Sequence, residues 1–332
     1  MKGHNQVYLG VDLGGTKIAG LIGDQQGKVL SEQTVPTLAD QGVEQVIIRI
    51  KTLIKDLMEK EASGLVKGIG ICAPGPLNIK TGTVICAPNL KWKDVPIAPI
   101  LEQEFGLPVF LENDANAAGY GECVYGAGKG AANMLYMTVS TGIGGGIIAN
   151  GDLVYGRDDS AGEIGHMIIL PNGPLCGCGQ HGCIEALASG TAIARDARAR
   201  LVKGEESMLL ELVEGDLTTL TSRDVAKAAR RGDELALSLL DEAFSYLGIA
   251  ISNLINLLNP EVIVIGGGVS KMGDLLFDRI NNYLRGHSFQ HMVKGVAILP
   301  SVLGGRAGAI GMVALVQKKM GETGRTPGTI LC

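Results

Sequence analysis

Three times in this chain a run of apolar, strand-like residues empties into a cluster of glycines: GVDLGGTK at 10–17, TVSTGIGGG at 138–146 and VIVIGGGVS at 262–270. Glycine has no β-carbon, so the backbone N–H groups of such a turn can approach an anion closely. A single turn of this kind could simply close a hairpin. Three in one chain point to a ligand that carries several phosphates. Two common nucleotide motifs do not account for them. The P-loop spacing fails because Gly128-Lys129 has Cys123 where a glycine is needed and Gly130 where a Ser or Thr is needed. The dinucleotide fingerprint read from Gly142 ends on Ile147. Read from Gly144 it reaches Ala149, a relaxed match, but a strand follows where a helix is required.

The segments around the turns give an α/β pattern. Residues 7–12, 17–23 and 28–35 read as a three-stranded meander, with turns at Gly14-Gly15 and Gln25-Gln26-Gly27. Val43, Val46, Ile47, Ile50, Leu53, Ile54, Leu57 and Met58 recur at three and four residues, which sets them on one face of a helix. Strands at 67–72 and 108–112 precede a helix over 114–124 that opens at an Asn-Asp cap. This order predicts a mixed sheet covered by helices. The second half repeats the opening device, with a strand at 134–140, the turn 141–146 and a returning strand at 147–150. A glycine- and cysteine-rich stretch over 156–183 reads as an irregular loop. Helical segments at 185–202 and 223–231 lead to a long helix over 234–258, stopped by Asn259-Pro260, and then a buried strand at 262–265. A helix over 306–320 closes the chain, and the Gly-, Thr- and Pro-rich tail 321–332 is expected to fray.

Composition narrows the function classes. The 332 residues include 29 Lys and Arg against 34 Asp and Glu, a net charge of −5, which argues against a general nucleic-acid binder. With 46% hydrophobic and 19% charged residues the chain can build a core and is not disordered, and its length predicts two domains. The apolar stretch 307–316 contains two glycines and is too short to span a bilayer, so no membrane helix is expected. The N-terminus MKGHNQVYLGVD lacks the features of a secretory signal, which predicts a cytoplasmic protein. Of seven cysteines, at 72, 86, 123, 176, 178, 183 and 332, only three cluster, a usage that favours metal ligation over disulfides. Cys176-x-Cys178-x4-Cys183, with His166 ten residues upstream, makes a Cys3His set whose four ligands would close a structural zinc site. His181 competes as the fourth ligand.

The three glycine turns together resemble the actin, hexokinase and chaperone ATPase superfamily, a ribonuclease H-like fold in which two related domains close over ATP. The resemblance narrows at ENDANAAGYGE (112–122), EIGH (163–166) and CGCGQHGCIE (176–185), which are similar to the ROK sugar kinases, and among them to the bacterial glucokinases. It covers nearly the whole chain. It implies a smaller α/β domain over 1–113 plus 306–332 and a larger one over 114–305 with the zinc loop, the active site lying between them. It implies phosphorylation of a hexose by ATP at the 6-hydroxyl, with glucose foremost. Fructose, mannose, N-acetylmannosamine and N-acetylglucosamine kinases share the same loop and turns, and a non-catalytic sugar sensor would keep the fold.

From the residues alone Asp114 reads as a helix N-cap, and a helix N-terminus would lower its pKa. The resemblance makes it the catalytic base. It also implies that Asn89, Asn113, Asp114, Glu163, His166 and Glu185 contact the hexose, with Gly75 shaping the pocket and His166 joining Cys176, Cys178 and Cys183 as the zinc ligand. Without it, Glu163 and Glu185 read as solvated loop carboxylates. An acidic protein must meet ATP through local devices. Gly14, Gly15, Thr16, Lys17, Thr141, Gly142 and Gly144 are assigned to the phosphates, and Gly266, Gly267 and Gly268 to the adenosine. Asp12 is assigned to magnesium, directly or through water. Lys17 could instead be an outward charge on a hairpin. ROK repressors carry a DNA-binding module before the first strand, whereas six residues precede Val7 here, so no nucleic-acid partner is expected. The resemblance further implies a homo-oligomer, most simply a dimer.

Overall fold

The computed structural model describes residues 5–60 and 64–323. Cys332 and most of the expected frayed tail lie outside the described residues. The first half opens with β1 (Asn5–Leu13), β2 (Lys17–Asp24) and β3 (Val29–Pro36), the expected meander, and α1 (Val43–Lys60). β4 (Gly64–Ala73) lies parallel to β1. A small antiparallel sheet of β5 (Leu77–Asn78), β6 (Thr83–Ala87) and β7 (Trp92–Val95) follows, then α2 (Ile97–Phe105). β8 (Val109–Asn113) runs parallel to β4 and hands the chain to α3 (Asp114–Tyr125).

The second half begins with the hairpin of β9 (Met134–Val139) and β10 (Ile143–Ala149), extended by β11 (Asp152–Leu153). A helical layer of α4 (Ile184–Ala188), α5 (Gly190–Val202), α6 (Leu209–Leu212), α7 (Ser222–Arg230) and α8 (Glu234–Leu258) comes next. β12 (Val262–Gly266) then pairs parallel with β9, and α9 (Gly267–Ser270), α10 (Asp274–His287) and α11 (Gln290–Val293) lead to β13 (Ala297–Pro300) and α12 (Ala307–Thr323).

The two large sheets have the same plan. Their orders are β3-β2-β1-β4-β8 and β11-β10-β9-β12-β13. In each, an antiparallel meander occupies one side, and two strands parallel to the first of its three occupy the other. The repeated turn at 140–142 is therefore the counterpart of the turn at 14–16.

α1 buries Val46, Ile50, Leu53, Ile54 and Leu57, the predicted stripe, against the first sheet. α12 packs against the same sheet and also against α3. That packing is backbone to backbone. A β-carbon at Gly10 would stand 1.9 Å from the Ala309 carbonyl oxygen, and one at Gly311 would stand 1.7 Å from that of Ala117. Neither position has room for a side chain.

Two expectations are corrected. The returning strand starts at Ile143, so Gly144, Gly145 and Gly146 belong to β10 and not to the turn. Their lack of side chains serves packing, since a β-carbon on Gly145 would meet Ile164 at 2.5 Å. The helix expected over 185–202 is broken at Ser189, whose side chain caps α5 by accepting the Ala192 N–H. The long helix α8 is by length and composition apolar enough to cross a bilayer. Most of that apolar surface is buried between α4, α5, α7 and α10, as a core helix requires.

Candidate active site

Three adjoining hollows, of about 840, 310 and 290 Å³, lie where the glycine turns meet, and Ser140 lines all of them. The largest is bounded by Gly15, Thr16, Asn89, Thr141, Gly142 and Glu185. The smallest holds Asp12, Lys17 and Asp114 beside Gly267, Gly304 and Gly305. The third runs between Thr141, Thr191, Leu220, Arg223 and Gly268.

Asp114 is placed by the junction of β8 and α3. The cap is not Asp114 but Asn113, whose Oδ1 accepts the N–H groups of Ala115 at 2.9 Å and Asn116 at 3.2 Å. Asp114 is thus the first helical residue, and it opens into the cleft. Its pKa is raised, opposite to the direction expected from a helix N-terminus. Solvent reaches the carboxylate from the cleft, but protein surrounds it closely, and this desolvation outweighs backbone donors that include the Ala115 N–H at 2.8 Å.

Asp12 ends up in the same hollow because β1 and β8 flank β4. Burial, and then the Asp114 charge, push its pKa up to about 6. Lys17 and a hydrogen bond from the Cys72 thiol oppose that rise. Lys17 therefore points into the cleft, its Nζ 3.8 Å from where a β-carbon on Gly305 would stand. The outward hairpin alternative is not the one adopted.

The first glycine turn is closed by the Gly14 N–H donating to the Lys17 carbonyl at 3.0 Å. It is braced by Thr37, fully buried, whose hydroxyl donates to the Gly14 carbonyl at 2.6 Å and whose N–H donates to the Thr16 carbonyl. Asn89 packs on Gly15, and Gly75 stands beside the Asn113 amide.

The second turn is closed by the Ser140 N–H donating to the Gly142 carbonyl at 2.8 Å. Glu185 Oε2 accepts the Ile143 N–H at 3.0 Å and fills the space a Gly142 side chain would need. Glu185 is therefore a wall of the glycine turn as well as of the largest hollow, not a solvated loop carboxylate. Gly144 packs against Ala115 and Thr138, and Gly266 faces Tyr136, so neither lines a hollow. Gly267 and Gly268 do.

The cysteine loop forms one cluster. The donor atoms of His166, Cys176, Cys178 and Cys183 all lie within 4.8 Å of one another. Sγ of Cys178 and Sγ of Cys183 are 3.7 Å apart, as are Sγ of Cys176 and Nδ1 of His166. Zn–S bonds of about 2.3 Å in a tetrahedron give an edge of about 3.8 Å, so this donor set fits zinc. His181 is not part of it and bonds to the Gly173 carbonyl through Nδ1 at 2.9 Å. The other nitrogen of His166 faces Glu163 at 4.0 Å. Cys176 Sγ also lies 3.7 Å from Glu185 Oε1, which links the cluster to the second glycine turn.

Thr37 and Ser140 are among the site residues that sequence reasoning missed, as are Thr191, Leu220, Arg223, Gly304 and Gly305 along the hollows and Cys72 beside Asp12. Ser140 adjoins a turn already singled out. Thr37 lies 21 residues beyond Thr16 and carries no local signal.

A family model described as the ROK family matches residues 8–319. A glucokinase of Halalkalibacterium halodurans is 42% identical over 319 residues, covering 94% of this chain and 95% of that protein. A glucokinase of Thermotoga maritima is 37% identical, covering 94% and 98%. The crystal structure of a ROK family glucokinase from Streptomyces griseus in complex with glucose and AMPPNP matches with a TM-score of 0.79 at 37% identity, over 94% of this chain and 99% of that one.

Proposed function

This chain belongs to the ROK family, and from that premise we propose that it is a glucokinase, transferring the γ-phosphoryl group of ATP to the 6-hydroxyl of glucose. The observation that carries the reading is the meeting of Asp114, Asp12 and Lys17 in one hollow beside both glycine turns. The glucose 6-oxygen attacks the γ-phosphorus, the bond from that phosphorus to the β,γ-bridging oxygen breaks, and ADP leaves. Asp114 accepts the hydroxyl proton as the new bond forms. Its raised pKa makes it a better acceptor than an ordinary Asp.

Lys17 and the backbone N–H groups at Gly15, Thr16, Thr141 and Gly142 face the phosphates and stabilise the charge that develops there. Asp12 would hold magnesium, which supplies charge neutralisation on the phosphates. The adenosine lies in the hollow that Gly268 lines, and Gly267 lines the adjoining hollow of Asp12 and Asp114. Asn89, Asn113, Glu163, His166 and Glu185 orient the ring hydroxyls, and Gly75 leaves room beside Asn113. His166, Cys176, Cys178 and Cys183 would hold a structural zinc that fixes the loop carrying Glu163 and Glu185. Among the described residues, those of 1–113 with 306–332 form one domain and those of 114–305 the other, and their closure excludes water. A cytoplasmic homodimer completes the proposal, because ATP is available in that compartment and the described cysteines form no disulfide with one another.

The test is ADP release with ATP and magnesium across glucose, mannose, fructose, N-acetylglucosamine and N-acetylmannosamine. The highest kcat/KM is expected with glucose. Preference for another hexose would reassign the substrate, and no sugar-dependent ADP release from folded, zinc-loaded protein would overturn the kinase reading.

A further inference from the structure

Glu112 is the residue before the cap of α3, and it is 1% exposed. A carboxylate so buried persists where donors reach it, and Glu112 has three. Its Oε1 accepts the Asn113 N–H at 3.0 Å and the Asn116 side-chain amide at 3.1 Å. Its Oε2 accepts the Tyr155 hydroxyl at 3.0 Å. The first two donors belong to the turn that presents Asn113 and Asp114. The third begins the loop that runs from β11 to the short helical turn Ile164–His166, and so to Glu163 and His166. Tyr155 is also tied within that loop, because its carbonyl accepts the Ala161 N–H at 3.0 Å. One buried carboxylate therefore holds two segments that the chain separates by about forty residues, each of which carries part of the proposed sugar site.

We infer that Glu112 is a positioning residue that, through Tyr155, holds the base-bearing turn and the sugar-binding loop in register. It lines none of the three hollows, and its carboxylate oxygens are engaged by Asn113, Asn116 and Tyr155. The sugar must be gripped from both segments for its 6-hydroxyl to meet Asp114, so loosening their register weakens glucose binding and leaves the ATP contacts in place. This inference rests on the proposed glucokinase reading.

Tyr155→Phe keeps the ring in its apolar surroundings and deletes only the donor. A hydrogen bond to a charged group lost at this point is expected to raise the glucose KM about tenfold, with the ATP KM within about twofold of the parent enzyme. Glu112→Gln keeps an amide oxygen for Asn113 and Asn116 and turns an NH2 toward the Tyr155 hydroxyl, which can accept from it. It should therefore retain much of the glucose affinity that Glu112→Ala loses. In the Glu112→Gln background, Tyr155→Phe should have a smaller effect than in the parent. An unchanged glucose KM in Tyr155→Phe, or equal losses for glucose and ATP that follow the fall in Tm, would overturn the inference.

Amide hydrogen exchange separates this outcome from failure of the glucokinase reading. Without any substrate, Tyr155→Phe should speed exchange both in 154–166 and at 113–116. Exchange altered in one segment alone, or in neither, would refute the coupling whatever the enzyme phosphorylates.

Discussion

Asp12→Asn should destroy turnover and yet stabilise the protein without ligands. In the folded chain the pKa of Asp12 stands at about 6 against an ordinary 3.8, with burial the largest cause and the Asp114 charge the next. Roughly two pKa units correspond to about 3 kcal/mol of penalty on the ionised form. Solvent reaches part of the side chain from the cleft, which reduces this to about 1–2 kcal/mol. At about 2 cal/mol/K of unfolding entropy per residue, a chain of 332 residues converts that gain into a rise in Tm of about 1–3 °C.

The sign follows from linkage. A folded pKa above the unfolded one means that the native state binds more protons between about 4 and 6, so this group stabilises the parent protein as pH falls through that window. The advantage of Asp12→Asn is therefore full above pH 7, shrinks as pH falls through about 6, and disappears below about 4. Thermal unfolding at pH 5, 6 and 7.5, without magnesium or ATP and with zinc retained, measures it. A variant less stable than the parent at pH 7.5, or an advantage that grows as pH falls, would refute the reasoning.

Further outcomes follow from the same geometry. Because the pKa of Asp114 is raised and its protonated form cannot accept the sugar proton, kcat for glucose phosphorylation should fall with acid at a pH above the ordinary Asp value of about 4. A rate profile flat down to pH 4 would contradict that. Cys176→Ser should lower the zinc content measured by atomic absorption and raise the glucose KM, since the cluster adjoins Glu185 and Glu163; zinc loss with an unchanged KM would separate the metal from the sugar site. Gly311→Ala, which would bring a β-carbon 1.7 Å from the Ala117 carbonyl oxygen, should cost about 3 kcal/mol or more by forcing α12 away from α3. Chemical denaturation reads that directly, and a loss below about 1 kcal/mol would show that the helices can part cheaply.

What the sequence made legible was governed by local chemistry. The bounds of α8 are read correctly because Asp233 caps its start by accepting the Ala236 N–H, and Asn259 in a left-handed conformation ends it just before Pro260. The Cys3His cluster is legible because three of its members lie within eight residues. The strands β5, β6 and β7 are two to five residues long, too short to show alternation. The glycines of β10 look like turn residues in sequence because the cause of their smallness, Ile164 and α3, lies elsewhere in the chain. Glu185 reads as a loop carboxylate until the fold brings it to the Ile143 N–H, 42 residues away. The direction of the Asp114 pKa escapes a sequence reading for a related reason. A helix N-terminus is visible in sequence, whereas the depth of a cleft assembled from two sheets is not.

The measurement that bears most directly on the central claim is glucose 6-phosphate formation by Asp114→Asn, paired with calorimetry of glucose binding to the same variant. The account predicts turnover reduced by about a hundredfold or more with glucose affinity within a few-fold of the parent enzyme. Turnover close to that of the parent, from protein that still binds glucose, would contradict the assignment of Asp114 as the base.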